Sequence, residues 1–153
     1  MALKKGDKAP AFTLISSELK EVSLDDYKGR KLVIHFFPMA FTGVCTTQLC
    51  TMRDDFGYYE GIGAGIIGIS VDSPFTLAKF KAENNYQFPL LSDFNKEVSK
   101  AYGAFYDEFV FGLKGVAKRA AFVVDENQQI AYAEVLDNAG DLPDFEAIKA
   151  SLG

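Results

Sequence analysis

Only one histidine and two cysteines occur in the 153 residues, too few for a closed four-ligand zinc site within one chain. No stretch approaches the ~18 consecutive apolar residues that read as a membrane span, and Met1–Gly6 lacks the apolar core of a signal peptide. Lys and Arg number 16 against 21 Asp and Glu, a net charge of −5. The basic residues are scattered, which argues against a nucleic-acid footprint. Repeats, low-complexity tracts and linkers are also missing. What remains is an ordinary globular composition, 48% hydrophobic and 24% charged, at a length that fits one domain over residues 1–153 with a full core. The expected protein is cytoplasmic, without cofactor or metal and without membrane or nucleic-acid partners. In that compartment a cysteine pair points to redox chemistry more than to a structural staple.

The chain is punctuated clearly. Phe12–Ile15 and Glu21–Leu24 read as a short hairpin, followed by a turn over Asp25–Gly29. Leu32–Phe37 is apolar apart from His35, as a central strand covered on both faces would be. A helix is expected from Gly43 to Glu60, then a glycine-rich loop (Gly61, Gly63, Gly65) and a second buried strand, 66–71. Ser73-Pro74 is a strong helix start, with an end near Asn84-Asn85. Phe88–Leu91 leads to a shorter helix with Val98, Ala101 and Tyr102 on its apolar face, stopped by Gly103. Residues 104–118 have no firm period and read as a loop over something. Ala120–Val124 and Ile130–Val135 form a hairpin around the turn Asp125–Gln129, and Phe145, Ile148 and Leu152 mark a C-terminal helix. This order gives an α/β domain of thioredoxin-like fold, a mixed central sheet flanked by helices.

Chemistry concentrates where the first buried strand turns into the first helix, at Pro38-Met39-Ala40-Phe41-Thr42-Gly43-Val44-Cys45. Leu49, Met52, Phe56 and Tyr59 fall within roughly 40° of Cys45 around that helix, so the thiol faces the core stripe. A helix N-terminus supplies unpaired N–H groups and positive potential, both of which favour a thiolate. A free thiol near pKa 8.5 is only a few per cent ionised at neutral pH, and the dipole is worth about a kcal/mol, so another positive group is wanted. Arg119, opening a later strand, and Arg53, two turns along the helix, are the candidates. Thr42 could hydrogen-bond the sulfur or a bound oxygen, and Pro38 would hold the turn and shield the thiolate. Read alone, Cys45 could equally be a buried core cysteine. His35, inside a buried strand, reads as a hydrogen-bonded core histidine rather than a catalyst. The aromatic group Phe105, Tyr106, Phe109 and Phe111 has two readings: packing or oligomer contact, or the lining of a pocket.

The pattern Pro38-x-x-x-Thr42-x-x-Cys45, with an arginine opening a later strand, resembles the signature of the peroxiredoxins. The resemblance covers nearly the whole chain and includes Gly6–Phe12, Phe88–Asp93 and Arg119–Asp125. It implies that Cys45 attacks the O–O bond of hydrogen peroxide or an organic hydroperoxide and becomes a sulfenic acid. Thr42 and Arg119 would hold the peroxide in line, Gln48 would help orient Arg119, and Arg53 would be a second helper. Two subgroups are resembled at once. Residues 36–45, with Tyr102–Phe105 and Gly115–Arg119, look like the one-cysteine group named after alkyl hydroperoxide reductase E. Cys50 instead matches the resolving position of peroxiredoxin Q, or bacterioferritin comigratory, proteins. The favoured expectation is an internal Cys45–Cys50 disulfide recycled by thioredoxin or a similar thiol reductant, in a monomer or homodimer. The alternatives are a one-cysteine enzyme with Cys50 structural, and a non-enzymatic peroxide sensor or interaction module. A direct thiol–disulfide oxidoreductase is disfavoured, because the spacing is C-x-x-x-x-C and not C-x-x-C. Five helical residues separate the two Cα atoms by roughly 8.6 Å, beyond the ~7 Å reach of a disulfide. Resolution by Cys50 therefore requires the helix to unwind.

Overall fold

The computed structural model describes residues 3–153; Met1 and Ala2, which open the segment read as having no signal peptide, lie outside it. A seven-stranded mixed sheet carries the fold. Its strands are β1 (Thr13–Ser16), β2 (Glu21–Ser23), β3 (Leu32–Phe36), β4 (Gly65–Ser70), β5 (Leu90–Ser92), β8 (Ala120–Val124) and β9 (Ile130–Val135), in the order β2-β1-β5-β4-β3-β8-β9. β3, β4 and β5 run parallel, and the other pairings are antiparallel. The helices are α1 (Gly43–Asp54), α2 (Phe56–Gly61), α3 (Pro74–Asn84), α4 (Glu97–Ala101) and α5 (Phe145–Leu152). β6 (Phe105–Tyr106) and β7 (Val116–Ala117) form a separate two-stranded ribbon.

Side chains on β3 alternate between two cores, which explains its unbroken apolar run. Val33 and Phe37 pack with Leu49, Met52, Leu77, Phe80 and Ile148 from α1, α3 and α5. Leu32, Ile34 and Phe36 face a second cluster built from Phe12, Leu24, Val98, Tyr102 and Phe122. By this alternation His35 belongs to the α1 and α5 face, where its ring stacks on Phe145 with centroids 6.1 Å apart.

Three details differ from the sequence expectation. The helix expected over Gly43–Glu60 is interrupted at Asp55 (φ −96°, ψ 9°), whose carboxylate is held 3.0 Å from Lys149 Nζ of α5. A helix-weakening glycine at 57 follows the break. Leu90–Ser92, read only as a lead-in, is the strand β5 that links the parallel core to the β1–β2 hairpin. Residues 104–118 are not irregular throughout: Phe105 pairs with Ala117 and Tyr106 with Val116. At the tip of that ribbon a single 3-10 turn, Val110–Gly112, holds Phe111 at φ 60°.

Topology then delivers the site. β3 ends at Phe36, beside the start of β8, because Phe36 pairs with Ala120 in the antiparallel register. The turn after β3 therefore faces the residue preceding β8, Arg119. That turn is pinned to the end of β4: the Ala40 N–H donates to Asp72 Oδ2 at 2.8 Å, and the Ser70 hydroxyl donates to the same oxygen at 2.6 Å. Phe41 takes a left-handed φ of 68° to close the turn, and its ring rests 5.1 Å from that of Phe80.

Candidate active site

Cys45 lies in the first turn of α1, behind the N-cap residue Thr42, and is 1% exposed. Arg119 Nη1 donates to its sulfur at 3.2 Å and to Gln48 Oε1 at 2.9 Å. The rest of the guanidinium is held by one backbone group, with Nε and Nη2 donating to the Ala139 carbonyl at 3.3 and 2.8 Å. Arg119 is only 2% exposed, so its position is set on two sides and its charge is sheltered from solvent. The structure thus brings Cys45, Gln48 and Arg119 into direct contact.

Pro38 and Thr42 border the same cavity as Cys45 and Arg119. Thr42 Oγ1 donates to the Met39 carbonyl at 2.8 Å, so its hydrogen is committed within the turn and its lone pairs are free to accept. The cavity holds about 230 Å³, and apart from Thr42, Cys45 and Arg119 its walls are almost wholly apolar, with Phe109 and Val110 contributed by the ribbon tip. The segment read as a loop over something therefore covers this thiol. A larger cleft of about 600 Å³, lined by Phe12–Ile15 on one side and Phe94, Asn95, Glu97 and Val98 on the other, has no thiol, imidazole or cationic side chain among the described residues that line it. It has no comparable chemistry.

The other candidates lie elsewhere. Arg53 does not border the cavity; its Nε contacts Asp54 at 3.0 Å and its Nη1 donates to the Asn84 carbonyl at 2.9 Å, tying α1 to the end of α3. Cys50 sits on another side of α1, half-buried, with its sulfur 3.6 Å from Tyr86 Oη and 3.8 Å from Asn84 Oδ1. Burial first, and then the contact with Cys50, push the Tyr86 phenol far above its usual range, so it stays a neutral hydroxyl. Both cysteines are free thiols, and α1 is continuous through both. The hydroxyls of Thr46, Thr47 and Thr51 donate back to the carbonyls four residues earlier, a habit that weakens and bends helices.

Two participants were not legible in the sequence as parts of the site. The Ala139 carbonyl is a backbone group brought in by the loop after β9, and no residue type could have signalled it. His35 Nδ1 lies 2.9 Å from Gln48 Nε2; its uniqueness was visible, but its partner was not. Burial lowers its pKa to about 3, so the imidazole is neutral at ordinary pH.

A helix-borne thiol gripped by a buried arginine, on a thioredoxin-like sheet, defines a class of cysteine-centred redox proteins. The relatives are consistent with that class. The model of the AhpC/TSA family matches residues 5–133. A putative peroxiredoxin of Mycobacterium tuberculosis is 44% identical over 134 residues, covering 86% of this chain and 85% of that protein. An alkyl hydroperoxide reductase E of Mycobacterium bovis is 38% identical over 136 residues, covering 87% and 86%. Among solved structures, peroxidoxin BcpB of Mycobacterium tuberculosis superposes with a TM-score of 0.85 at 27% identity, covering 98% of this chain and 96% of that one. The chain belongs to the AhpC/TSA family of peroxiredoxins, cysteine-dependent peroxidases of thioredoxin-like fold. No helix among the described residues is long and apolar enough to cross a membrane.

Proposed function

We propose that the chain, as a single domain, reduces hydrogen peroxide and organic hydroperoxides with Cys45 as the attacking nucleophile. The observation that carries this reading is the 3.2 Å contact from Arg119 Nη1 to the Cys45 sulfur inside an apolar cavity. A fixed cation there stabilises negative sulfur before reaction and negative oxygen during it. The thiolate attacks one peroxide oxygen; the S–O bond forms as the O–O bond breaks. Sulfur is oxidised by two electrons to a sulfenic acid, and the leaving oxygen takes a proton to become water or an alcohol. Arg119 donates to the peroxide oxygens, and Thr42 Oγ1 accepts from the peroxide hydroxyl, aligning it with the sulfur. Gln48 holds Arg119, and Pro38 keeps water off the thiolate. Stopped-flow mixing tests this: wild-type protein should oxidise within milliseconds at micromolar peroxide, and Cys45→Ser should consume none. A wild-type reaction no faster than that of a free thiol would leave a binding module or sensor instead.

For recycling, Cys50 is the resolving residue and thioredoxin or a similar dithiol the reductant, acting in the cytoplasm. Support comes from the threonine-weakened start of α1 and the partial exposure of Cys50. Attack by Cys50 requires α1 to unwind through its first two turns, carrying Cys45 out of its pocket. The packing of Cys50 against Tyr86 and Asn84 favours the second reading, a one-cysteine enzyme reduced by an external thiol. Turnover of Cys50→Ser with thioredoxin separates the two.

A further inference from the structure

Gln48 is wholly buried, and chemistry dictates which way its amide faces. Arginine can only donate, so the atom 2.9 Å from Arg119 Nη1 must be the carbonyl oxygen Oε1. The Phe36 carbonyl can only accept, so the atom 3.3 Å from it must be the amide nitrogen Nε2. Nε2 also lies 2.9 Å from His35 Nδ1. Since Nε2 can only donate, Nδ1 must be unprotonated and the imidazole hydrogen must sit on Nε2 of the ring. That ring nitrogen is buried and has no hydrogen-bond partner among the described residues.

An unpaired buried N–H is costly, and the strand position is one that Val33 and Phe37, on the same face, fill with hydrocarbon. Packing alone does not account for a histidine here; the hydrogen bond made by its other nitrogen does. We propose that His35 is a positioning residue for peroxide reduction. Its unprotonated Nδ1 fixes the Gln48 amide with Oε1 toward Arg119, and thereby fixes the Arg119 guanidinium on the Cys45 sulfur. This inference rests on the peroxidase reading above. Without the acceptor at Nδ1, the Gln48 amide nitrogen keeps only the longer contact to Phe36, and the amide is less firmly held against rotation. A rotated amide presents N–H groups to a guanidinium that can only donate.

The test is a double-mutant cycle on single-turnover oxidation of Cys45 by hydrogen peroxide, with folding monitored by circular dichroism. His35→Phe keeps a flat ring beside Phe145 and removes the acceptor; its rate should fall about tenfold. His35→Asn offers a carbonyl oxygen close to the former Nδ1 and should recover most of that loss. In a Gln48→Leu background, His35→Phe should change the rate less than twofold, because the route through Gln48 is already gone. A His35→Phe rate within twofold of wild type overturns the proposal. So does a further tenfold loss in the Gln48→Leu background, which would mean a packing effect independent of Gln48. Nitrogen-15 NMR of the wild-type imidazole supplies a second readout that needs no variant. Nδ1 should resonate as an unprotonated, hydrogen-bonded nitrogen at neutral pH, and a protonated Nδ1 overturns the assignment even if His35→Phe does not fold. A wild-type protein that does not react with peroxide would refute the peroxidase reading, while the NMR result would still decide the tautomer.

Discussion

Removing the Arg119 side chain is the most informative single perturbation, because its contacts divide cleanly between chemistry and scaffold. On the chemical side, Arg119→Ala deletes the donor 3.2 Å from the Cys45 sulfur and, with it, the donor proposed for the bound peroxide. Hydrogen bonds to charged groups are worth roughly 1.5–3 kcal/mol each. Two such bonds, at ~1.4 kcal/mol per tenfold, predict oxidation slower by about two to four orders of magnitude. On the scaffold side, the change strands Gln48 Oε1 and removes both contacts to the Ala139 carbonyl. Stranded buried acceptors cost roughly 1–3 kcal/mol each, so the denaturation midpoint should fall as well. Arg119→Lys retains a charge, but a single ammonium cannot serve Sγ, Gln48 and Ala139 in one plane; it should recover less than about tenfold of the lost rate. The assay is single-turnover oxidation by stopped flow, at a temperature where circular dichroism shows each variant folded. If folded Arg119→Ala oxidises within threefold of wild type, the guanidinium is structural and the transition-state role assigned to it is wrong.

Other outcomes follow from neighbouring features. His35 is held neutral with its pKa lowered from 6.5 to about 3, so between those values the unfolded chain binds more protons than the folded protein. Stability from this group is therefore complete above about pH 6.5 and falls with decreasing pH, by about 1.4 kcal/mol per unit, until about pH 3. Urea denaturation across pH 4–7 should show this slope and lose about one proton of it in His35→Phe; identical slopes would mean that His35 is not buried neutral. Phe109 and Val110 cover the thiol with hydrocarbon, so Val110→Asp should slow reaction with a long-chain hydroperoxide about tenfold while changing hydrogen peroxide less than threefold. Equal effects on both substrates would remove the ribbon tip from substrate selection. Oxidised wild-type protein should lose amide-exchange protection over residues 43–52, and Cys50→Ser should not; protection retained in both would place Cys50 among the packing residues.

What the sequence made legible was whatever local pattern encodes. Leu32–Phe37, apart from His35, and Ala120–Val124 are apolar on both faces, Ser73-Pro74 caps a helix with the Ser73 hydroxyl accepting from the Thr76 N–H, and the Cys45, Leu49, Met52 and Tyr59 stripe keeps one period. That period carries across the break at Asp55, which hid the break. β5 has three residues and β6 and β7 two each, too short for alternation to show. At the candidate site, Cys45, Thr42, Pro38 and Arg119 could be singled out from side-chain chemistry and their place in the chain, and Gln48 only from the resemblance to the peroxiredoxins. Arg53 could not be excluded, because its distance from the cavity depends on which way it leaves α1 toward Asn84. The Ala139 carbonyl and the His35 acceptor depend on the β8–β9 register and on strand alternation across the sheet, which are tertiary facts.

The most direct measurement of the central claim is the intact mass of reduced protein after one equivalent of hydrogen peroxide. Wild type is expected to lose two hydrogens as Cys45 and Cys50 join, Cys50→Ser to gain a single oxygen on Cys45, and Cys45→Ser to remain unchanged with the peroxide unconsumed. Oxidation of Cys45→Ser at the wild-type rate, or an oxygen found on Cys50 with Cys45 untouched, would contradict the assignment of Cys45 as the peroxide-reducing thiol.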